Sequence, residues 1–349
     1  MKNNNRLIYL LIIILLAWLL ILSNEFSRLK KQDAANVINE YNITGFSTDF
    51  TRIIEESKPA VVTVEADGDL LSGFVYAQDG EDVYIVSAYH GLSSSNLINV
   101  HFGSSYQANA QLIGHDIYAD LAVLRIRTPY QIAALKLSDA DLLKQGEFLI
   151  SIGTSGSLDF AGSVLLGMVA GNDLMIDNSI SVGEERYSYF LNVIETSTNI
   201  QSGFSGSPLI NMNGEAVGMN TMASASGTAF ALSANEIRKV ADLLISGEEY
   251  TRKNLGFRGY FIKDLYNYEK ANLNLDFENT QGIYVDRVKE NSLAFEAGIR
   301  SGDIITMIND QPVDGLNSYL DALYDSQEQT RFTYIRDGQM LQSDISSND

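Results

Sequence analysis

Short apolar runs separated by turn residues dominate the first two thirds of the chain. Runs rich in β-branched and aromatic residues and bounded by Gly, Asn and Asp are typical of strands in a sandwich or barrel. The dipeptides Asp79-Gly80 and Asn213-Gly214 predict hairpin turns between neighbouring strands. The pattern therefore predicts a mainly β domain, whose strands include residues 61–64, 73–76, 83–88, 121–126 and 148–152.

Two stretches have helical spacing instead. The first follows cap candidates at residues 47–49 and ends before Pro59. The second begins at Ser233, which opens a capping-box sequence, and ends at Gly247. The charged residues 248–253 come next and read as a linker, so we predict a domain boundary there.

The segment after this linker mixes strand and helix patterns and has the size of an independent domain. Residues 282–285 alternate like a strand, residues 291–297 before Gly298 predict a short helix, and residues 302–305 start another strand. A further helix is predicted from the helical spacing of Leu316, Tyr319, Leu320 and Leu323.

The N-terminal run from Leu7 to Leu22 is apolar without interruption. At about 1.5 Å per residue it is slightly short for a bilayer core of roughly 30 Å, but basic residues at both ends can reach the interfaces. We predict a transmembrane anchor at residues 7–23 after a cytoplasmic tail at 1–6. A cleaved signal peptide is the alternative, although no small-residue cleavage site follows the run. Basic residues on both flanks leave the orientation open.

Composition narrows the classes of function. A formal charge of −20 over 349 residues disfavours nucleic-acid binding, which needs a basic surface. The hydrophobic fraction of 45% predicts packed cores rather than disorder. The absence of cysteine excludes disulfides, thiolate metal sites and a thiol nucleophile. Residues 24–46, which are mostly polar, are predicted to be a linker between the anchor and the folded domains.

The segment Gly203-Phe204-Ser205-Gly206-Ser207 is the candidate for a nucleophile. A serine between two glycines can lie on a tight turn where backbone N–H groups converge, but its hydroxyl needs a base to accept its proton. Of the 3 histidines, His90 follows an apolar strand, whereas His101 lies within a strand and His115 in a polar turn. Asp120 precedes a β-rich run that would hold its carboxylate rigidly.

The chain order His90, Asp120, Ser205 distinguishes among serine-hydrolase folds. An α/β-hydrolase requires the acid and the histidine to follow the serine, and no histidine follows Ser205. The observed order is that of the chymotrypsin-like proteases. Taken alone, His90 could be a packed histidine, Asp120 a strand cap and Ser205 a turn serine. The assignment therefore depends on all three together.

The blocks around these residues resemble those of the HtrA (DegP/DegS) serine proteases. They are Val86-Ser87-Ala88-Tyr89-His90, Ala119-Asp120-Leu121-Ala122-Val123-Leu124 and Gly203-Phe204-Ser205-Gly206-Ser207-Pro208-Leu209. The resemblance implies a chymotrypsin-like double β-barrel at residues 47–248 and a PDZ domain at 254–345. It also implies that anchor residues 7–23 place both domains outside the cytoplasm.

The same resemblance implies individual roles. His90 would be the base, Asp120 would orient it, and Ser205 would attack the peptide bond, while the backbone N–H groups of Gly203 and Ser205 would bind the oxyanion. Phe204 and Ser207 depart from the usual Asn and Gly; we expect Phe204 to leave the donors intact and to reshape the substrate groove. Neither a metal nor a cofactor is required.

Specificity and partners are also implied by the resemblance. Phe230, Ala231 and Leu232 would line a specificity pocket for small or medium apolar residues, and Leu255, Gly256 and Phe257 would bind the C-terminal carboxylate of a peptide. The helix that starts near Leu316 would flank that peptide groove or pack in the core. The aromatic residues Tyr41, Phe46 and Phe50 would join protomers into a homotrimer or only cover their own domain.

The sequence therefore predicts a membrane-anchored, ATP-independent serine endopeptidase of extracytoplasmic protein quality control or regulated proteolysis. Its substrates would be unfolded or regulatory proteins. The alternative is a non-catalytic PDZ scaffold or chaperone on a protease fold, which Phe204 and Ser207 keep open.

Overall fold

The structure of the protein is a computed structural model, and part of the N-terminal region is not described. The described residues are 18–19, 21–23, 25, 43–93, 95–182, 185–223, 228–248, 250, 252–273, 275 and 281–346. No helix within these ranges is both long enough and apolar enough to cross a membrane. The predicted tail at 1–6 lies outside the described residues, as do most of the anchor at 7–23 and of the linker at 24–46.

Helix α1 spans Ile43–Ser57 and therefore begins before the predicted cap at residues 47–49. That predicted start is wrong because the apolar spacing continues upstream through Phe46 and Ile43. The cap candidates at residues 47–49 therefore lie inside the helix. The candidate trimer residues Phe46 and Phe50 lie in α1, and Tyr41 lies outside the described residues. The chain divides between Arg52 and Ile53 into two compact units, and the second carries the candidate site.

We call residues 47–248, the predicted protease domain, the protease region. Its first half is a 7-stranded antiparallel sheet with the order β5-β4-β1-β2-β3-β7-β6. The predicted turn at Gly80 joins β2 to β3. His115, predicted to lie in a turn, is instead in β6. The strands are β1 (Val61–Ala66), β2 (Asp69–Asp79), β3 (Asp82–Ala88), β4 (Ile98–Phe102), β5 (Tyr106–Asn109), β6 (Gln111–Asp116) and β7 (Leu121–Arg127).

In the described part of the chain, the two edge strands of this sheet do not pair with each other, so the sheet is not the closed first barrel that was predicted. Its edge strands β5 and β6 are consecutive in the chain and separated only by Ala110. The sheet must therefore curl until its two edges meet at this residue. Its interior is filled by buried aliphatic side chains such as Val64, Ile85 and Leu124.

The second half is a closed barrel with the strand order β10-β13-β12-β11-β8-β9. The long hairpin of β9 and β10 was not predicted, because polar residues interrupt the apolar runs between residues 161 and 196. Gly214, in the predicted turn between β11 and β12, has a φ of 79°. The strands are β8 (Phe148–Thr154), β9 (Ala161–Val182), β10 (Glu185–Thr196), β11 (Pro208–Ile210), β12 (Ala216–Ala223) and β13 (Ala229–Ser233).

Helix α2, Ala234–Ser246, closes the protease region as predicted. The Ser233 hydroxyl accepts a hydrogen bond from the N–H of Glu236 at 3.2 Å, which satisfies one of the free donors of the first turn. Gly247 ends the helix in the left-handed conformation, with a φ of 72°. Both predicted ends of α2 are therefore confirmed.

As far as the structure describes it, the C-terminal domain is a 6-stranded sheet with three short α-helices, and β14 lies at one edge of the sheet. The predicted helix near Leu316 is confirmed, and Leu316, Tyr319, Leu320 and Leu323 are all buried. The helix predicted over 291–297 is shorter because Ser292 caps it. The elements are β14 (Phe257–Phe261), α3 (Asn267–Asn272), β15 (Ile283–Val288), α4 (Leu293–Glu296), β16 (Ile304–Ile308), β17 (Gln311–Pro312), α5 (Leu316–Leu323), β18 (Gln329–Arg336) and β19 (Gln339–Ser346).

Candidate active site

His90 and Asp120 are brought together by the pairing of two neighbouring strands. In the antiparallel pair of β3 and β7, Ala88 lies opposite Leu121, so the residues just beyond the strand ends also face each other. His90 Nδ1 lies 2.7 Å from Asp120 Oδ2. The backbone N–H of His90 donates to Asp120 Oδ1 at 2.7 Å. The two side chains that sequence analysis assigned to base and orienting acid are therefore in direct contact.

The backbone of Asp120 is unusual because its φ is 53°, in the left-handed region. Its carbonyl oxygen accepts a hydrogen bond from the N–H of Tyr89 at 3.1 Å. Both carboxylate oxygens and the carbonyl of Asp120 are thus engaged by the Tyr89-His90 segment, which fixes the orientation of the carboxylate relative to the imidazole.

The contact with Asp120 determines the protonation chemistry of His90. An ionised carboxylate only accepts hydrogen bonds, so Nδ1 carries the proton and Nε2 of the neutral ring is free to accept another. The hydrogen bond to Asp120 raises the pKa of His90, and this effect outweighs the opposing effect of burial. The imidazole remains 53% exposed, which leaves Nε2 accessible to a reacting group.

The loop from Gly203 to Ser207 precedes β11 and contains two glycines with positive φ, 92° at Gly203 and 87° at Gly206. The N–H of Phe204 donates to Gln201 O at 3.0 Å, which closes a tight turn. Within the described ranges, the N–H groups of Gly203 and Ser205 have no hydrogen-bond acceptor. These are the two groups that sequence analysis predicted as oxyanion donors.

Contacts with the first sheet hold this loop beside the end of β3. The N–H of Ser72 donates to Ser205 O at 2.9 Å. A Cβ atom added at Gly206 would lie 2.0 Å from Ser72 O and 2.9 Å from Ala88 N, so only glycine allows this approach. Since Ala88 is separated from His90 by Tyr89 alone, the half-buried Ser205 lies in the loop that packs next to the His90 segment.

The two departures from the usual motif are accommodated in the interior. Phe204 is 1% exposed and packs against Gly153, so the expectation that it reshapes the substrate groove is wrong. Its side chain points into the barrel because the turn at Gly203 and Gly206 directs it there. The buried Ser207 hydroxyl lies 3.1 Å from Ser151 Oγ and accepts from Asn220 Nδ2 at 2.9 Å. A hydroxyl at position 207 therefore has hydrogen-bond partners.

Sequence analysis missed Ser72, which connects the two halves of the protease region. Its hydroxyl donates to Gly203 O at 2.7 Å and accepts from the N–H of Thr154 at 2.8 Å. Its carbonyl accepts from the Ser87 hydroxyl at 2.7 Å. The available signal was a polar residue beside a glycine within an otherwise apolar strand, because a fully buried serine needs hydrogen-bond partners.

The residues predicted to line the specificity pocket lie in β13. Ala231 and Leu232 are fully buried, and Ala231 packs in the core of the closed barrel. Phe230 alone is partly exposed, and its carbonyl accepts a weak hydrogen bond from the Thr221 hydroxyl at 3.4 Å. Among the three, Phe230 is therefore the residue that can contact a ligand with its side chain.

The predicted carboxylate-binding residues precede and begin β14. Leu255 and Phe257 are buried, and Gly256 has a φ of 68°. The carbonyl oxygens of Leu255 and Gly256 accept hydrogen bonds from Ala294 at 3.1 Å and Lys289 at 2.8 Å, which fix the loop. In the described part of the chain, the N–H groups of Leu255 and Gly256 have no acceptor. They are available to an anion beside β14, which is an edge strand in the described part of the sheet.

In the residues that the structure covers, no three or more His, Cys, Asp or Glu side chains converge in a way that could hold a metal ion.

The chain matches two families of known domains. The trypsin-like peptidase domain matches residues 71–219, and the PDZ domain matches residues 263–346. The first match spans His90, Asp120 and Ser205, and the second spans most of the C-terminal sheet.

Whole-chain comparisons agree with these matches. The serine protease Do-like HtrA of Lactococcus lactis subsp. lactis (strain IL1403) is 26% identical over 337 residues, covering 91% of this chain and 81% of the relative. The protein of the same name from Lactobacillus helveticus is 30% identical over 261 residues, covering 72% of this chain and 62% of the relative. The solved HtrA-type protease AlgW with tripeptide has a TM-score of 0.61 and 22% identity, covering 85% of this chain and 96% of that chain.

Proposed function

We propose that Ser205 is the nucleophile of a proteolytic site. The premise is that the chain belongs to the HtrA family of serine endopeptidases, with one trypsin-like and one PDZ domain. The observation that carries the assignment is the direct contact of His90 with Asp120, together with the packing of the Ser205 loop beside the same strand. A base, its orienting carboxylate and a serine hydroxyl are the groups that acyl transfer needs.

In the proposed reaction the Ser205 hydroxyl attacks the carbonyl carbon of the scissile peptide bond. His90 Nε2 takes the hydroxyl proton, and Asp120 stabilises the imidazolium that forms. The imidazolium then gives the proton to the leaving amine, and the C–N bond breaks to leave an acyl-enzyme. Water, deprotonated by His90, hydrolyses the ester and restores the Ser205 hydroxyl.

The N–H groups of Gly203 and Ser205 would stabilise the negative oxygen of the tetrahedral intermediates. What supports this role is that neither N–H group has an acceptor among the described residues, so neither has to break a hydrogen bond to bind the oxyanion. One such donor is worth about 10²–10³ in rate in proteases where it has been removed. Phe230, with Ala231 and Leu232 behind it, would limit the preceding substrate residue to a small or medium apolar side chain.

The PDZ domain would bind the C-terminus of a peptide. The N–H groups of Leu255 and Gly256, which have no acceptor within the described residues, would donate hydrogen bonds to its carboxylate. The edge strand β14, beginning at Phe257, would pair with its backbone. This mode requires a free chain end, which unfolded and cleaved proteins supply.

We further propose that the protein acts at a membrane without ATP, anchored through residues 7–23 with both domains outside the cytoplasm. The support is the uninterrupted apolar run and the family resemblance. The substrates would be unfolded or regulatory extracytoplasmic proteins, and the assembly would be a homotrimer formed through the region of Tyr41, Phe46 and Phe50.

The test is cleavage of casein or another unfolded protein by the full chain and by Ser205→Ala. We expect turnover only with the parent, and we expect the exposed-serine control Ser104→Ala to keep full activity. Equal turnover in the parent and Ser205→Ala would contradict the assignment. No turnover in either, also with C-terminal peptides added, would favour the non-catalytic PDZ scaffold instead.

A further inference from the structure

The linker between α2 and β14 is packed against the turn that ends at Asp120. In this turn, the Asp116 carboxylate accepts hydrogen bonds from the N–H groups of Tyr118 at 2.8 Å and Ala119 at 2.9 Å. The other oxygen of Asp116 accepts from the linker hydroxyl of Tyr250 at 3.3 Å. The linker thus contacts the aspartate that folds the turn, four residues before the proposed orienting carboxylate.

Arg252, two residues further along the linker, lies over the aromatic rings of the same region. Its guanidinium carbon is 5.6 Å from the ring centroid of Tyr118 and 5.4 Å from that of Tyr189. The two rings meet edge to face at 5.1 Å, and the Tyr189 hydroxyl donates to the carbonyl of Tyr118 at 2.9 Å. A buried cation is attracted by the quadrupoles of the two tyrosine rings, so Arg252 restrains the Tyr118 ring directly. It restrains the Tyr118 backbone through Tyr189, whose hydroxyl is bonded to the Tyr118 carbonyl.

The opposite side of Arg252 faces α2 and the PDZ domain. Its guanidinium lies 3.8 Å from Glu236, and the Glu236 carboxylate accepts from the hydroxyl of Tyr324 at 2.8 Å. The next linker residue, Lys253, donates its N–H to Leu323 O at 2.8 Å at the end of α5. The Arg252 side chain is only 4% exposed. Among the described residues, the charged or titratable groups that face it are Tyr118, Tyr189, Tyr250, Asp116, Glu236, Tyr319 and Tyr324.

We propose that Arg252 is a positioning residue for the active site, because it holds the Tyr118–Asp120 turn in the conformation that presents Asp120 to His90. This inference rests on the proposed function, in which Asp120 orients His90. Asp120 has a left-handed backbone, which aspartate adopts more readily than most non-glycine residues but which the surrounding turn must still stabilise against the extended alternatives. The residue lies outside the catalytic groups and acts through Tyr118.

The first experiment measures kcat and KM of the full chain with Arg252→Met, which keeps the aliphatic stem and removes the cation. A small misplacement of a catalytic group can lower rate by about 10²-fold, so we expect kcat to fall by tens of fold while KM stays within about twofold. Arg252→Lys retains a cation near the rings and should recover part of kcat. An unchanged kcat, a loss confined to KM, or a lysine variant no better than methionine would overturn the proposal.

Loss of Arg252 also leaves the Glu236 carboxylate buried without its cation. This would destabilise the protein for a reason unrelated to the position of Asp120. The double variant Arg252→Met with Glu236→Gln removes this stranded charge while keeping a partner for Tyr324. We expect it to melt near the parent temperature and still to lose kcat. A parent-like kcat in this folded double variant would show that Arg252 only neutralises Glu236.

A second readout is independent of turnover. The chain has only 3 histidines, so NMR titration of ¹³C-labelled imidazoles can follow His90 directly, with His90→Gln for assignment. In the Ser205→Ala background, we expect Arg252→Met to make His90 titrate at lower pH, since its bond to Asp120 weakens. An unchanged titration would overturn the positioning role. If Ser205→Ala does not abolish turnover, the proposed function fails, yet this titration still tests the contact.

Discussion

The two sides of the active site are built in different ways. On the first sheet, His90 is half-exposed, and hydrogen bonds to the Asp120 carboxylate hold it in place. Within the described residues, both oxygens that His90 Nδ1 and the His90 backbone N–H contact belong to Asp120. On the closed barrel, the Gly203–Ser207 loop is held by backbone geometry, by the buried Phe204, and by the hydroxyl of Ser72.

This difference predicts different consequences of substitution. Changing the charge of the His90–Asp120 side should alter proton transfer with little effect on folding, because few buried groups lose a partner. Changing the Ser205 side should alter folding and geometry together, because its backbone is packed against Ser72 and Ala88. The following substitutions separate chemistry from packing, beginning with the largest expected effect.

Asp120→Asn should have the largest effect on activity and a small effect on stability. The amide cannot hold His90 in the same tautomer, so kcat should fall by about 10⁴-fold, as in triads with this change. Asparagine tolerates the left-handed backbone at this position, so we expect the free energy of unfolding to change by less than about 1 kcal/mol. Steady-state kinetics and denaturant unfolding measure the two quantities.

The same pair predicts the pH dependence of the parent enzyme. Because Asp120 raises the pKa of His90, and only the neutral imidazole accepts a proton, activity should decline as the pH falls through a value above that of a free imidazole. In Asp120→Asn, the residual activity should decline at a lower pH than the activity of the parent does. An acid limb that does not move would contradict the role of Asp120 as the source of the raised pKa.

Gly206→Ala should have a large effect on folding. The added Cβ would overlap Ser72 O at 2.0 Å, and the φ of 87° is unfavourable for alanine. We expect destabilisation of about 3 kcal/mol or more, with loss of activity. The matched control is Gly214→Ala, which has a φ of 79° but no atom within 4 Å of the added Cβ. It should cost only about 1 kcal/mol. Equal thermal denaturation of both variants would show that the close approach is unimportant.

Ser72→Ala should have an intermediate effect. The Gly203 carbonyl would lose the donor at 2.7 Å and the Thr154 N–H would lose its acceptor at 2.8 Å, both in a buried site. Leaving such groups unpaired should destabilise the protein by about 2 kcal/mol. Because Gly203 carries a proposed oxyanion donor, kcat should also fall by about tenfold. A stability loss with unchanged kcat would restrict Ser72 to a structural role.

Ser207→Ala should have the smallest effect. Asn220 Nδ2 would lose its bond to the Ser207 hydroxyl but keep the one to Ser151 Oγ at 2.8 Å. We expect destabilisation by about 1 kcal/mol and activity within about twofold of the parent, since the hydroxyl points into the interior. A large gain in activity would instead mean that this departure from the usual glycine impairs catalysis.

Local sequence signals were sufficient for much of the fold. The strands around Ile85 and Leu124 follow from their short runs of β-branched and apolar residues, and the cap at Ser233 follows from its spacing to Glu236, because residue type and short-range spacing decide both. The β9–β10 hairpin and the early start of α1 were missed, because polar residues interrupt the apolar pattern in both. The failed prediction for Phe204 has a different cause, since only the path of the loop decides which way its side chain points.

The sequence by itself determined the residue types and their order, His90 before Asp120 before Ser205, and the glycines that make the nucleophile loop feasible. Only the tertiary structure decided that Asp120 bonds to His90 through both oxygens, that Ser72 connects the two halves, and that Arg252 lies over Tyr118. The physical reason is that such contacts join residues distant in the chain, and their geometry depends on how the sheets curl and pack.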